Sequence, residues 1–194
     1  MTETAIRDYG VIGDGRSAAL VAKNGAIEWL CWPRFDSPSI FAAVLDANRG
    51  GAWRIAPRGS FRTARAYLPD TNVLATTFVG PSGAVRVIDT MTAFGEAQKR
   101  ARPVPEHELL RVVEGLDGEL VLEVSFAPRP DYARRLVPLR TRHGLGLRLE
   151  LGGNDLYTLR CEGPDGAPVP FALDDEGTAT AHLTVRGGER AVFS

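Results

Sequence analysis

Over most of the chain apolar and polar residues alternate in short runs, and the runs are bounded by glycine, proline, asparagine and aspartate. Period-two alternation puts the apolar side chains on one face of an extended segment, so the pattern predicts half-buried strands rather than helices. Such runs occupy Tyr9–Ile12, Ala18–Ala22, Ile27–Trp32, Ala52–Ala56, Phe61–Leu68, Val73–Val79 and Ala84–Met91. Others follow at His107–Glu114, Glu119–Ala127, Gly146–Leu151, Leu156–Cys161, Ala179–Arg186 and Arg190–Phe193. Strands recurring roughly every ten residues, with turn residues between, indicate an all-β fold, a large antiparallel β-sandwich, rather than βαβ units.

The punctuation sharpens this. Asn24-Gly25 tolerates positive φ at both positions and predicts a two-residue hairpin turn between Ala18–Ala22 and Ile27–Trp32. Gly115-Leu116-Asp117-Gly118 predicts a turn joining the pair His107–Glu114 and Glu119–Ala127. Pro33 stops the third strand, and Ser37-Pro38 reads as N-cap and first helical residue of one short helix near 38–46, with Asp36 helping to start it. The proline-marked stretch Thr92–Glu106 reads as a loop. Val85, Val87 and Asp89 fall on one face, so Asp89 is expected to point inward and to require an arginine or several donors there. Glu28 is expected at an exposed strand position.

Composition narrows the function. With 194 residues and 44% hydrophobic content the chain can bury a core of its own. Its 23 basic residues face 24 acidic ones with no basic block, which argues against nucleic acid as a partner. No apolar run approaches membrane-spanning length and the first residues lack a signal-like pattern, so the expectation is a cytoplasmic protein without a membrane partner. Cys31 and Cys161 are far apart and read as small packed hydrophobes. His107, His143 and His182 are isolated, and neither phosphate-binding glycine motifs nor a nucleophile elbow occurs, so no metal or cofactor is implied.

The densest chemistry lies in the loop Trp32-Pro33-Arg34-Phe35-Asp36, which gathers aromatic, cation and carboxylate. Trp32, Arg34, Phe35 and Asp36 fit either a domain interface, where Trp, Phe and Arg are enriched, or sugar recognition, which combines a stacking face with hydrogen-bonding groups. The two uses are compatible if the loop reaches over an active-site rim. Arg16, and Arg129 with Asp131 and Tyr132, carry the same ambiguity. Pro128-Arg129-Pro130-Asp131-Tyr132 echoes Pro33-Arg34-Phe35-Asp36, but the match is too short to mark a repeat. Asp14, between two glycines, is best read as a turn former.

Gly13-Asp14-Gly15-Arg16, Ala18-Ala19-Leu20-Val21 and the run Gly25 to Pro38 together resemble the N-terminal domain of family 15 glycoside hydrolases, the glucoamylase-like and trehalase-like enzymes. The resemblance is strongest from Ile6 to Leu45, moderate at Tyr67-Leu68-Pro69 through Phe78 and at Phe126–Tyr132, and thin after His143. Pro130 stands where an aromatic is common. The resemblance implies a β-sandwich preceding an (α/α)6 barrel, and a parent enzyme that hydrolyses α-glucans, maltooligosaccharides or trehalose with inversion. It places the catalytic glutamates in that barrel, so no catalytic residue is expected in this chain.

The chain stops on Ala191–Ser194, inside a predicted strand. The expectation is therefore a single N-terminal β-sandwich domain over 1–194, separated from its barrel and inactive alone. The barrel would be its natural partner. Two alternatives remain: an autonomous carbohydrate-binding module, or a purely structural or oligomerising domain. A surface meant for a barrel would be partly apolar, so a homodimer through the face carrying Trp32 and Phe35 is a further expectation.

Overall fold

A computed structural model describes residues 4–101, 107–142, 146–152 and 155–194. The chain is all-β, as the alternation predicts. The strands, in order, are β1 (Gly10–Gly13), β2 (Ala18–Val21), β3 (Ala26–Cys31), β4 (Ser39–Phe41), β5 (Trp53–Pro57), β6 (Arg62–Tyr67), β7 (Leu74–Gly80) and β8 (Gly83–Met91). After a short helix, α1 (Glu96–Ala101), come β9 (Leu109–Phe126), β10 (Arg140–Arg142), β11 (Gly146–Gly152), β12 (Asp155–Leu159), β13 (Cys161–Glu162), β14 (Ala172–Leu173), β15 (Ala179–Arg186) and β16 (Arg190–Phe193). β10, β11 and β12 make a separate three-stranded sheet.

The other thirteen strands form one antiparallel sheet whose main path runs β1-β2-β3-β5-β9-β8-β7-β6. Its organiser is β9. The expected hairpin around Gly115–Gly118 is absent: Leu109–Phe126 is one continuous strand of 18 residues. Its first half pairs with β8 and β16, its second with β5 and β15. Leu109, Arg111 and Val113 are buried in the first half, Leu120, Leu122, Val124 and Phe126 in the second. The inward phase thus shifts by one residue across the middle, where the β8 pairing also slips between Ala84 and Val85. That is the signature of a bulge, which bends a strand without ending it. The two glycines serve the bend: a Cβ on Gly115 would lie 1.8 Å from the Arg186 carbonyl oxygen, and Gly118 sits at φ +57°.

The bend folds the two halves of the sheet over a shared core, giving the sandwich. Ile27, Ile55 and Val124 from one half meet Phe78, Val85, Val87 and Val113 from the other in one buried cluster. The outermost strands of the path, β1 and β6, are joined by side chains rather than by a ladder. Tyr67 Oη accepts from the Val11 N–H (2.7 Å) and donates to the Val11 carbonyl (3.0 Å), and the Arg65 guanidinium donates to the carbonyls of Val21 and Asp8. These contacts satisfy backbone groups that an open edge would leave to solvent.

Two further expectations are corrected. The helix near 38–46 does not form: Ser39–Phe41 is β4, paired with β3, and turns follow it. Cys31 and Leu30 supply ladder partners there, which a helix would forgo. Glu28 is buried, not exposed. The β2–β3 register slips at this point, and the carboxylate accepts hydrogen bonds from the Tyr9 hydroxyl and, at 3.4 Å, from Thr4. Burial and the Glu28 hydrogen bond push the Tyr9 phenol up to about 12. The expected loop Thr92–Glu106 contains α1, and its last five residues lie outside the described ones.

Asp89 points inward as expected, and its arginine is Arg111, the opposite residue on β9. Both are fully buried. Arg111 Nε donates to Asp89 Oδ1 at 2.8 Å, while its two Nη groups donate to the carbonyls of Trp53 and Gly25 at 2.7 Å each. The guanidinium also lies over the Trp53 ring, 5.1 Å from its centroid. One side chain of one half of the sheet therefore anchors two backbone positions of the other.

Candidate functional site

The candidate loop leaves β3 at Trp32 and rejoins the sheet at β4. The Trp32-Pro33 peptide bond within it is cis. Trp32 does not offer an open stacking face: it is 9% exposed, meets His107 edge-on, and its carbonyl accepts from Tyr157 Oη at 3.3 Å. Below it lies a cavity of about 320 Å3, walled mainly by apolar side chains such as Leu30, Phe41 and Leu149. Trp32 is thus the floor of the loop.

The tip faces outward. Phe35 is 73% exposed. Arg34 and Asp36 form a two-point ion pair, Nε to Oδ1 at 2.8 Å and Nη2 to Oδ2 at 3.1 Å. The Arg34 hydrogen bond holds the Asp36 carboxyl below its ordinary range, and Asp36 raises Arg34 in turn. Asp36 therefore pairs with arginine instead of starting a helix. The Ser37 N–H donates to the Arg34 carbonyl at 3.0 Å, and the Arg34 N–H donates to Ser37 Oγ at 3.2 Å, so the tip is closed on itself.

Arg16 joins this loop through its backbone, its carbonyl accepting from the Phe35 N–H at 2.9 Å. Asp14 is the turn former expected: Oδ1 accepts from the N–H groups of Arg16 and Ser17, both at 2.8 Å. Its other oxygen lies 3.9 Å from His107 Nδ1. His107 was not among the sequence candidates, since no spacing signal connects it to a turn more than ninety residues earlier in the chain.

The second candidate pair divides. Arg129 turns away from the loop, donating to the carbonyls of Pro128 and Gly177 and to Thr178 Oγ1. It lines a polar groove on the outer sheet face, beside Glu28, Arg54 and Glu123. Asp131 begins an unusual turn at Pro130–Ala133, in which Asp131, Tyr132 and Ala133 all take left-handed φ (53°, 58° and 59°). For non-glycine residues this costs about 1–2 kcal/mol each. The turn is held against the foot of the candidate loop: the Tyr132 N–H donates to Ser39 Oγ at 2.9 Å, and its ring lies 6.1 Å from that of Trp29. Tyr132 also meets the buried Cys31, whose thiol is pushed up chiefly by burial. The structure thus brings Arg16, Trp32, Arg34, Phe35, Asp36 and Asp131 to one end of the sheet and leaves Arg129 outside. Tyr132 was a sequence candidate alongside Asp131; Ser39, which accepts from the Tyr132 N–H, is the member that sequence reasoning missed.

Glycoside hydrolysis needs two carboxyl groups across one bond, about 5 to 9.5 Å apart and free to exchange protons. The candidate carboxylates are otherwise engaged. Asp14 holds a turn, Asp36 holds Arg34, Asp89 holds Arg111, and Asp131 faces Arg134 at 3.6 Å. What the site can offer is an exposed ring beside a fixed carboxylate and guanidinium.

The family description "trehalase-like, N-terminal" matches residues 2–193. Among curated proteins, the chain is 39% identical to a trehalase of Mycolicibacterium smegmatis over 140 residues, which is 66% of this chain and 21% of that protein. A Mycobacterium tuberculosis trehalase is 37% identical over 140 residues, covering 66% and 20% of the two chains. Trehalase 1 of the archaeon Sulfolobus acidocaldarius is 36% identical over 128 residues, covering 66% and 20%. The chain spans about a fifth of the length of these relatives. No solved structure matches it.

Proposed function

This chain belongs to the trehalase-like N-terminal family, and from that premise we propose that it is the non-catalytic β-domain of a longer family 15 glycoside hydrolase that cleaves trehalose with inversion. In this reading the catalytic carboxylates stand in a C-terminal (α/α)6 barrel. The domain packs on that barrel and presents Arg34, Phe35 and Asp36 at the rim of its active site, with Arg16 fixing the loop from below. The observation that carries the reading is the engagement of Asp14, Asp36, Asp89 and Asp131 in turns and ion pairs, so that none of these four candidates stands as a free acid–base partner while an exposed ring and a fixed ion pair face outward. The named trehalases, of whose length the match covers only about a fifth, support trehalose as the substrate and leave room for a second domain.

The test is hydrolysis of trehalose, maltose and soluble starch by this chain and by a full-length trehalase-like protein that carries it. Turnover of trehalose by the longer protein alone is the expected result. Turnover by the 194-residue chain would overturn the reading and reopen the search among its own carboxylates.

A further inference from the structure

A turn that only reverses the chain takes glycine or asparagine at left-handed positions, where the steric penalty is absent or small. Pro130–Ala133 instead keeps aspartate, tyrosine and alanine there. Such strain persists only where the surroundings over-determine it, and it concentrates at sites whose side chains must be held in one orientation. Here the surroundings do so. The Ala133 N–H donates to the Arg129 carbonyl and the Arg134 N–H to that of Asp131, both at 3.1 Å, while Ser39 and Trp29 hold Tyr132.

The side chains so held remain open to solvent. Tyr132 is 42% exposed and the Asp131 side chain 35% exposed. The guanidinium of Arg134 lies 5.8 Å from the Tyr132 ring centroid and is itself mostly exposed. An aromatic ring, a carboxylate and a guanidinium thus repeat, on a second backbone, the chemistry of Phe35, Asp36 and Arg34. The two groups meet through Ser39, which ends the first loop and accepts from the Tyr132 N–H.

We propose that Asp131 and Tyr132 form a sugar-binding subsite, in which the carboxylate accepts hydroxyl donors of a small polyhydroxylated ligand of the trehalose type and the ring packs on its C–H face. This rests on the reading of this end of the sheet as an active-site rim. A broad domain–domain contact tolerates side-chain play; a small ligand held by a few hydroxyls does not, and this is the role that a strained backbone serves.

The experiment is a titration of the 15N-labelled chain with millimolar trehalose, with mannitol as a control polyol, read at individual amide signals. Saturable trehalose-specific shifts at Asp131–Arg134 are expected. In Asp131→Asn, which tolerates the left-handed backbone but lacks the charge, the affinity should fall about tenfold with the melting temperature unchanged. Shifts confined to Arg34–Asp36 would overturn the subsite and leave the rim reading standing; no shift at either place would count against both. A lowered melting temperature in Asp131→Asn with unchanged affinity would give the carboxylate to the fold and overturn the subsite as well.

Discussion

Two arginine–aspartate pairs in this molecule have the same primary contact, Nε to Oδ1 at 2.8 Å, and opposite settings. Arg111 and Asp89 are fully buried, on neighbouring strands, while Arg34 and Asp36 lie two residues apart on an exposed loop. The buried arginine also caps two backbone carbonyls of the facing half of the sheet. Removing a buried charge from water is costly, so the pair persists because each of the three guanidinium nitrogens of Arg111 finds an acceptor. The exposed pair gains little beyond what water already offers. The same chemistry therefore fastens the fold in one place and stays available to a partner in the other.

The largest effect should come from breaking the buried pair on one side. Asp89→Ala or Arg111→Met leaves an uncompensated charge or two carbonyls without donors, and about 3–5 kcal/mol of stability should be lost in urea unfolding. The double variant should cost less than the sum of the singles, since neither charge is left alone. Equal additive losses would mean that the two residues act independently.

An intermediate case is half-buried Tyr9 with buried Glu28 at the outer face of the sheet. The Tyr9 phenol is raised from 10.0 to about 12 in the folded state. Its folded value lies above the unfolded one, so the folded state holds the proton longer. The contribution is whole below pH 10 and disappears as pH rises through 12. Alkaline unfolding curves of the wild type should therefore fall more steeply between pH 10 and 12 than those of Tyr9→Phe; identical slopes would mean that the Tyr9 phenol is not raised on folding.

The smallest effect is expected at the exposed pair. Asp36 has its pKa lowered by Arg34, so the pair's contribution is present above the ordinary carboxylate range and is lost as pH falls through the depressed value. Arg34→Ala should leave the melting temperature near that of the wild type at neutral pH, in low and high salt alike. A large drop would show that the loop fastens the fold and would erase the contrast between the two pairs.

Local pattern carried much of this architecture. The strands Ala179–Arg186 and Arg190–Phe193 appear at their expected bounds, and Asn24-Gly25 turns the chain between β2 and β3. The inward face of Asp89 and its need for an arginine were also legible, because period two sets which side chains share a face. The loop at Trp32–Asp36 announced itself by composition, although its exposed members turned out to be Arg34, Phe35 and Asp36 rather than Trp32.

Non-local pairing decided the rest. Gly115–Gly118 has the composition of a hairpin turn, but β8 and β16 on one side of it and β5 and β15 on the other keep Leu109–Phe126 extended. Ser37-Pro38 has the composition of a helix start, but the free edge of β3 offered ladder bonds to Ser39–Phe41. The choice of Arg111 for Asp89, the approach of His107 to Asp14, and the left-handed turn at Tyr132 all depend on segments distant in the chain. A sequence window registers which face a residue prefers; which strand comes to lie against that face is set by the closure of the whole sheet.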